Sequence, residues 1–195
     1  MNLTTSTEEM AVGLLVEKLA LLCNYSPDEA AQIAVASLLH DIGKEQIPSH
    51  IRNKQGKLTP AEFSVMKTHT ELGYEALQSV KGELGLKAQD IARYHHETYD
   101  GTGYMGIPYR ELPLYVAIVN ICDVFVALIH DRPYKQAWTI TGALSYIKSH
   151  AGTKFHPDLT DLFVLLIQRE YHRLVALFSS EDLEEPELIF GEVAA

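Results

Sequence analysis

At 195 residues and 47% apolar composition, the chain can bury one large core, and it holds no uninterrupted apolar run near the roughly 18 residues of a membrane span. A formal charge of -10 excludes broad attraction to polymeric nucleic acid or anionic membrane surfaces, so an anionic substrate has to be drawn in locally, by bound cations and by basic side chains such as Lys44, Arg132 and Lys135. The first nine residues show no basic stretch followed by an apolar one, and Cys23 and Cys122 sit in apolar helical patterns; the expectation is no secretory signal and two reduced thiols in a cytoplasmic protein.

Residues 10–22 carry apolar side chains at helical spacing. Ser26-Pro27-Asp28-Glu29 then supplies a capping serine, a proline in the first turn and a glutamate at the third position, the start of a helix predicted to run into His40-Asp41. Neighbours on a helix point about 100° apart, so these two share a cleft only near a helix end, which Gly43 is expected to mark. Thr59-Pro60-Ala61-Glu62 repeats the start signal and opens a helix predicted to carry His69, four residues before Gly73. A shorter helix over 87–97 delivers His95-His96 near its end, and the glycine- and tyrosine-rich stretch 98–112 predicts a loop. Residues 113–130 predict a buried helix around Asp123, stopped by Asp131-Arg132-Pro133, and two more helices follow over 141–150 and 157–178. With no hairpin signal, repeat or low-complexity linker, the expected fold is an all-α bundle, one catalytic domain over 1–180 followed by an acidic tail over 181–195.

His40, Asp41, His69, His95, His96 and Asp123 place metal-ligand side chains on four separate helical segments. Imidazole and carboxylate together suit divalent iron, manganese or zinc, and the absence of clustered cysteines argues against a thiolate site. Asp41 can bridge two cations at roughly 3.5–4 Å. Asp123 lies in an apolar run, where a buried carboxylate is costly unless paired or metal-bound. Lys44, just past the helix end, can offset charge building on a phosphoryl oxygen. Singly, each histidine reads as a surface or satisfied core residue; the set in this order reads as a metal-dependent hydrolase site in the core cleft of the bundle.

His40-Asp41-Ile42-Gly43-Lys44, then Lys54-x-Gly56-x-Leu58-Thr59-x-x-Glu62, His69, His95-His96-Glu97-x-x-Asp100-Gly101-x-Gly103-Tyr104, Asp123 and Asp131-Arg132-Pro133-Tyr134-Lys135 together resemble the HD-GYP family of HD-domain phosphohydrolases, over roughly residues 10–167. The resemblance implies an HD-domain helical bundle and a bacterial phosphodiesterase that hydrolyses cyclic di-GMP to linear pGpG, or onward to GMP, at a two- or three-metal centre. Carried over residue by residue, it implies His40, Asp41, His69, His95, His96 and Asp123 as ligands, with Asp41 bridging, and Lys44 at the scissile phosphate. The family's Gly-Tyr-Pro loop falls on Gly103-Tyr104-Met105, implying substrate contact by Tyr104, and Arg132 and Lys135 fall where the family holds the dinucleotide phosphates.

Two departures qualify the resemblance. Met105 stands where the family has proline, which removes a fixed φ and predicts a less rigid loop. Family members usually carry a histidine on the first helix; here that place falls near Glu8, with Thr4 one turn earlier, so the expectation is two divalent metals rather than three, iron or manganese with zinc also suited. An exposed acid favoured by the helix dipole is the ordinary reading of Glu8. The family commonly attaches this domain to sensory modules; none fits in this sequence, and a regulatory protein partner or a homodimer is the corresponding expectation. Two alternatives stay open: an HD-type phosphohydrolase of another nucleotide, and a catalytically weak cyclic di-GMP receptor or interaction module, motivated by Met105 and Glu8.

Overall fold

The computed structural model describes residues 7–131 and 136–178, with side chains through residue 170. Arg132, Lys135 and the acidic tail lie outside the described residues. Among the described residues nine α-helices follow in order: α1 Thr7–Leu22, α2 Pro27–Ser37, α3 Ser49–Arg52, α4 Pro60–Lys67, α5 His69–Leu77, α6 Gly82–Tyr94, α7 Leu114–Ile129, α8 Ile140–Ser149 and α9 Pro157–Phe178. Tight helical turns at Ile42–Gln46 and Tyr109–Glu111 complete the described chain, and its extended pairing is limited to one isolated bridge, Ala151 to Phe155. No helix among the described residues is long and apolar enough to cross a membrane.

α7 is the axis of the bundle. Val116, Ile118, Val119, Ile121, Cys122, Phe125 and Val126 are all buried, so the helix is covered nearly all round, as its apolar composition requires. α1 packs against it, with Leu15, Val16 and Leu19 buried in the same core, and α9 meets it through Phe163, whose ring lies edge-on to Phe125 at 5.2 Å. Both expected capping boxes form. Ser26 Oγ accepts from Glu29 N at 3.3 Å while Glu29 Oε2 accepts from Ser26 N at 3.0 Å, and Thr59 with Glu62 repeats the exchange at 3.3 and 2.7 Å. Lys54 adds an ion pair to Glu62 at 2.6 Å and, through that bond, holds its carboxyl down at about 2.

The helix expected over 87–97 spans Gly82–Tyr94 instead, so His95 caps it and His96 lies beyond it; two further helix ends also differ from the sequence expectation, and both of those differences build the site. α2 stops at Ser37 rather than reaching His40-Asp41; Leu39, His40, Ile42 and Lys44 instead donate three residues back, at 2.9–3.2 Å, winding the chain into a tighter turn. Gly43 therefore does not end a helix. It lies where the turn Ile42–Gln46 presses backbone to backbone on α5, and a Cβ there would stand 1.9 Å from the His69 carbonyl oxygen and 2.5 Å from the Gly73 nitrogen. The helix expected from Thr59 through His69 breaks at Thr68, so His69 is the first residue of α5 and Gly73 lies inside that helix instead of closing it.

Candidate metal centre

Four of the six sequence candidates meet closely. The ligand-type atoms of Asp41, His69, His95 and His96 all lie within 4.8 Å of one another. Asp41 is the hub: its Oδ1 faces His69 Nε2 at 3.3 Å and His95 Nε2 at 3.6 Å, while its Oδ2 faces His40 Nε2 at 3.3 Å and pairs with the Lys44 ammonium. Asp123, halfway along α7, joins through His40 Nε2 at 3.6 Å. His40, His69 and His95 are almost wholly buried, whereas Asp41 and Asp123 keep part of their surface open towards solvent.

Backbone carbonyls orient three of the rings. His40 Nδ1 donates to Ser37 O at 2.7 Å, His69 Nδ1 to Met66 O at 2.7 Å and His95 Nδ1 to Ile91 O at 3.0 Å. A carbonyl only accepts, so the ring hydrogen sits on Nδ1 and Nε2 is turned into the cleft. The Nε2 atoms of His69 and His95 are 3.4 Å apart, and both face Asp41 Oδ1, which is buried with no hydrogen-bond partner. Lone pairs converging on a buried carboxylate oxygen are an unfavourable arrangement that a cation relieves, and on that ground the cluster fits a divalent ion.

Protonation agrees with a ligand set. Burial, followed by the neighbouring His95, lowers His96 to about 2, and burial lowers His69 to about 4, so both are neutral at pH 7, the form that coordinates. Burial alone would raise Asp123, but its hydrogen bond and ion pair with His40 outweigh it and hold the carboxyl at about 2. Burial also opposes ionisation of Asp41, where His40, His95 and Lys44 together win and keep it well below the usual range. His40 is the converse: burial disfavours its charge, yet Asp41 and Asp123 raise its pKa well above the ordinary value. The two facing carboxylates thus call for a positive charge at His40 Nε2, which a proton supplies here and a cation would supply in its place, freeing that nitrogen to coordinate.

Glu97 is the residue the sequence reading quoted but gave no role. It is fully buried, and its carboxylate accepts from Met105 N and Ile107 N, both at 2.7 Å, while its carbonyl accepts from Tyr109 Oη at 2.8 Å. Met105 therefore does not loosen the loop: the N–H it brings, which proline lacks, is one of the two that Glu97 clamps. Gly103 lies so close to this strut that a Cβ would stand 2.5 Å from Glu97 Cα. Tyr104 follows, tilted over His96 at 4.5 Å, with Phe63 edge-on at 6.1 Å and the Lys67 ammonium 5.5 Å from its ring. Glu97→Gln puts an NH2 group against one of the two backbone donors, so we expect a stability loss of about 1–3 kcal/mol in denaturant unfolding, with faster hydrogen exchange at the amides of Met105 and Ile107 and bound metal retained.

Glu8 lies in the first turn of α1 and is not part of the Asp41–His96 cluster. Cys23 and Cys122 are both free thiols. Behind His96 opens a cavity of about 400 Å³ whose wall includes Gly103, Tyr104, Asn120, His150 and Lys154. Burial depresses the pKa of the Lys154 ammonium, with Asp123 acting in the opposite sense.

Residues 2–159 match the family model described as HD domain. Among curated relatives, the cyclic di-GMP phosphodiesterase response regulator RpfG of Xanthomonas campestris is 43% identical over 150 residues, covering 76% of this chain and 39% of that protein. The 3'3'-cGAMP-specific phosphodiesterase 2 of Vibrio cholerae is 38% identical over 161 residues (82% and 31%), and a cyclic di-GMP phosphodiesterase of Thermotoga maritima is 36% identical over 166 residues (85% and 45%). The chain thus spans less than half the length of each of these relatives. Bd1817, described as a HDG"Y"P protein from Bdellovibrio bacteriovorus, shares the fold at a TM-score of 0.66 and 19% identity, over 86% of this chain and 54% of that one. The matched span takes in every residue of the centre, and the chain belongs to the HD domain family.

Proposed function

We propose that this chain is a metal-dependent phosphodiesterase that hydrolyses cyclic di-GMP, giving linear pGpG, GMP or both. One observation carries the reading: His69 Nε2, His95 Nε2 and His40 Nε2 converge on the two oxygens of Asp41, and that carboxylate has an oxygen free of any hydrogen-bond donor. The names of the relatives supply the substrate class. We assign His40, Asp41, His69, His95, His96 and Asp123 as ligands of two divalent transition ions, iron or manganese with zinc also suited, because nitrogen and oxygen donors without thiolate fit these metals and six such ligands suffice for a bridged pair. Such ions, when bound, polarise a phosphoryl oxygen and lower the pKa of water.

The chain's own residues do the rest. Asp41, shared between the histidines, fixes where the charge sits; the Nδ1 hydrogen bonds fix the ring planes; Lys44, tied to Asp41 and partly exposed, is within reach of a phosphoryl oxygen that gains charge. Tyr104 over His96 offers a flat face for a base, and Arg132 and Lys135 stay assigned to substrate phosphates on the sequence resemblance. A second substrate, 3'3'-cGAMP, is favoured by the 38% identity to a phosphodiesterase named for it.

The test is anaerobic purification with elemental analysis, then product chromatography with cyclic di-GMP, 3'3'-cGAMP, pGpG and cyclic AMP. About two metal ions per chain and cleavage of a cyclic dinucleotide are the expected results. Cyclic di-GMP bound but never cleaved under any metal would make the chain a receptor. Cleavage of a different nucleotide alone would reduce the reading to a general HD phosphohydrolase.

A further inference from the structure

The candidate ligands stand on different helices, so their mutual placement depends on how those helices are held. The His95-His96 pair follows the end of α6, and Asp123 sits halfway along α7. α6 packs chiefly on α5 and α2 and meets α7 only lightly. Asp123 also stands apart from the close group of Asp41, His69, His95 and His96, joining it through His40 Nε2 at 3.6 Å. Apolar packing between α6 and α7 therefore does little to fix Asp123 relative to the histidine pair.

Two side-chain hydrogen bonds cross from α7 to α6. Tyr115 Oη donates to Asp90 Oδ2 at 2.5 Å, and Asn120 Nδ2 donates to the His95 carbonyl oxygen at 2.7 Å. From one bond to the next each helix advances five residues, 115 to 120 and 90 to 95, a rise of about 7.5 Å, so the two ties hold α6 and α7 in one register. They differ in their distance from the centre. Tyr115 lies in the first turn of α7, about 12 Å along the helix from Asp123. Asn120 lies one turn before Asp123, on the same face of the helix.

The acceptor matters as much as the donor. His95 is the cap residue of α6, and its carbonyl is one of those that a helix end leaves without an internal donor. No backbone N–H among the described residues takes it up; the Asn120 amide does. Asn120 is 2% exposed, its neighbours from Val116 to Cys122 are buried and apolar, and its own Oδ1 is buried with no donor. An amide satisfied on one side and orphaned on the other is a costly occupant of such a core, so what it contributes is the bond to His95.

We propose that Asn120 is a positioning residue for the metal centre: its bond to the His95 carbonyl sets the His95-His96 pair at the height of Asp123, so that ligands from α6 and α7 serve one centre. The inference rests on the ligand assignment above and adds a residue that acts through His95.

The experiment takes wild type, Asn120→Leu, Asn120→Ala and Tyr115→Phe, each prepared metal-free, and titrates them with Co2+ alone while the visible absorption is recorded. The thermal midpoint of each metal-free protein is measured beside it. Asn120→Leu keeps the approximate size of the side chain and removes the donor; Tyr115→Phe breaks the other tie and leaves this one. Loss of a group that supports a metal ligand typically costs 10–100-fold in metal affinity, so the apparent dissociation constant for Co2+ should rise about tenfold or more in both Asn120 variants, with a changed absorption band. Tyr115→Phe should lower the thermal midpoint and leave Co2+ affinity and spectrum as in wild type. Wild-type affinity and spectrum in a folded Asn120→Leu, or an equal loss in Tyr115→Phe, would overturn the assignment and leave the metal centre standing. If neither Asn120 variant folds, the metal-free wild type decides by nuclear magnetic resonance: Asn120 side-chain amide protons that exchange as fast as those of an exposed asparagine overturn the proposal, and a protected proton whose shift moves on addition of Zn2+ supports it. A wild-type protein that takes up no metal removes the centre and this inference together.

Discussion

Asp41→Asn will abolish turnover and metal binding together while the helical fold survives. The substitution keeps the size of the side chain and removes the one charge on which His40, His69, His95 and Lys44 all converge. Loss of an outer-sphere partner of a metal site commonly costs 10–100-fold, so loss of the shared carboxylate should exceed about 100-fold in kcat/KM. Elemental analysis and kcat/KM on the same preparation check it, with circular dichroism as the control for folding. Full turnover by a metal-depleted Asp41→Asn protein would place the chemistry somewhere else.

Gly43→Ala should be the most damaging single methyl group in the described chain. Its Cβ would sit 1.9 Å from the His69 carbonyl oxygen and 2.9 Å from the carbonyl carbon, and both are backbone atoms that cannot rotate away. The turn Ile42–Gln46 has to lift off α5, at a cost of at least about 3 kcal/mol. Because that turn follows Asp41 directly and α5 starts at His69, the same displacement pulls the 3.3 Å Asp41–His69 contact apart. We expect a large fall in thermal midpoint and loss of bound metal. Gly73→Ala, on the other side of this contact, meets the Ala92 Cβ at 3.3 Å and the Gly43 nitrogen at 3.4 Å, and it gains helix propensity; its net effect should be within about 1 kcal/mol of neutral. A Gly43→Ala protein as stable as Gly73→Ala would refute the backbone-contact account.

Much of this was legible in the sequence for identifiable reasons. Capping boxes are local chemistry, so Ser26-Pro27 and Thr59-Pro60 located two helix starts without reference to the fold, and the apolar run around Asp123 could only be a buried helix. The histidines and aspartates were legible because a cluster of costly side chains in helical segments has few other uses. The helix ends were not. Whether α2 continues past Ser37 or tightens is decided by the packing of the turn Ile42–Gln46 on α5, a contact between residues distant in sequence, and local propensity does not encode it. Glu97 escaped for a similar reason: an acid next to two histidines reads as part of a motif, and only the fold shows that it serves two backbone N–H groups eight and ten residues on. The Met105 departure, read from sequence as a loss of rigidity, becomes a gained hydrogen bond once that partner is in view.

The three carbonyl bonds that aim the imidazoles have an effect beyond orientation. Ser37, Met66 and Ile91 all lie in the last turn of their helices, so the carboxyl ends of α2, α4 and α6 converge on one cleft. Each such end carries about half an elementary negative charge, which together with Asp41 and Asp123 outweighs the Lys44 ammonium and the charge on His40. A cleft of that polarity attracts cations and repels a phosphodiester until the cations have entered. For the proposed activity this implies an order of loading, metal first and nucleotide second, in which metal availability would gate cleavage.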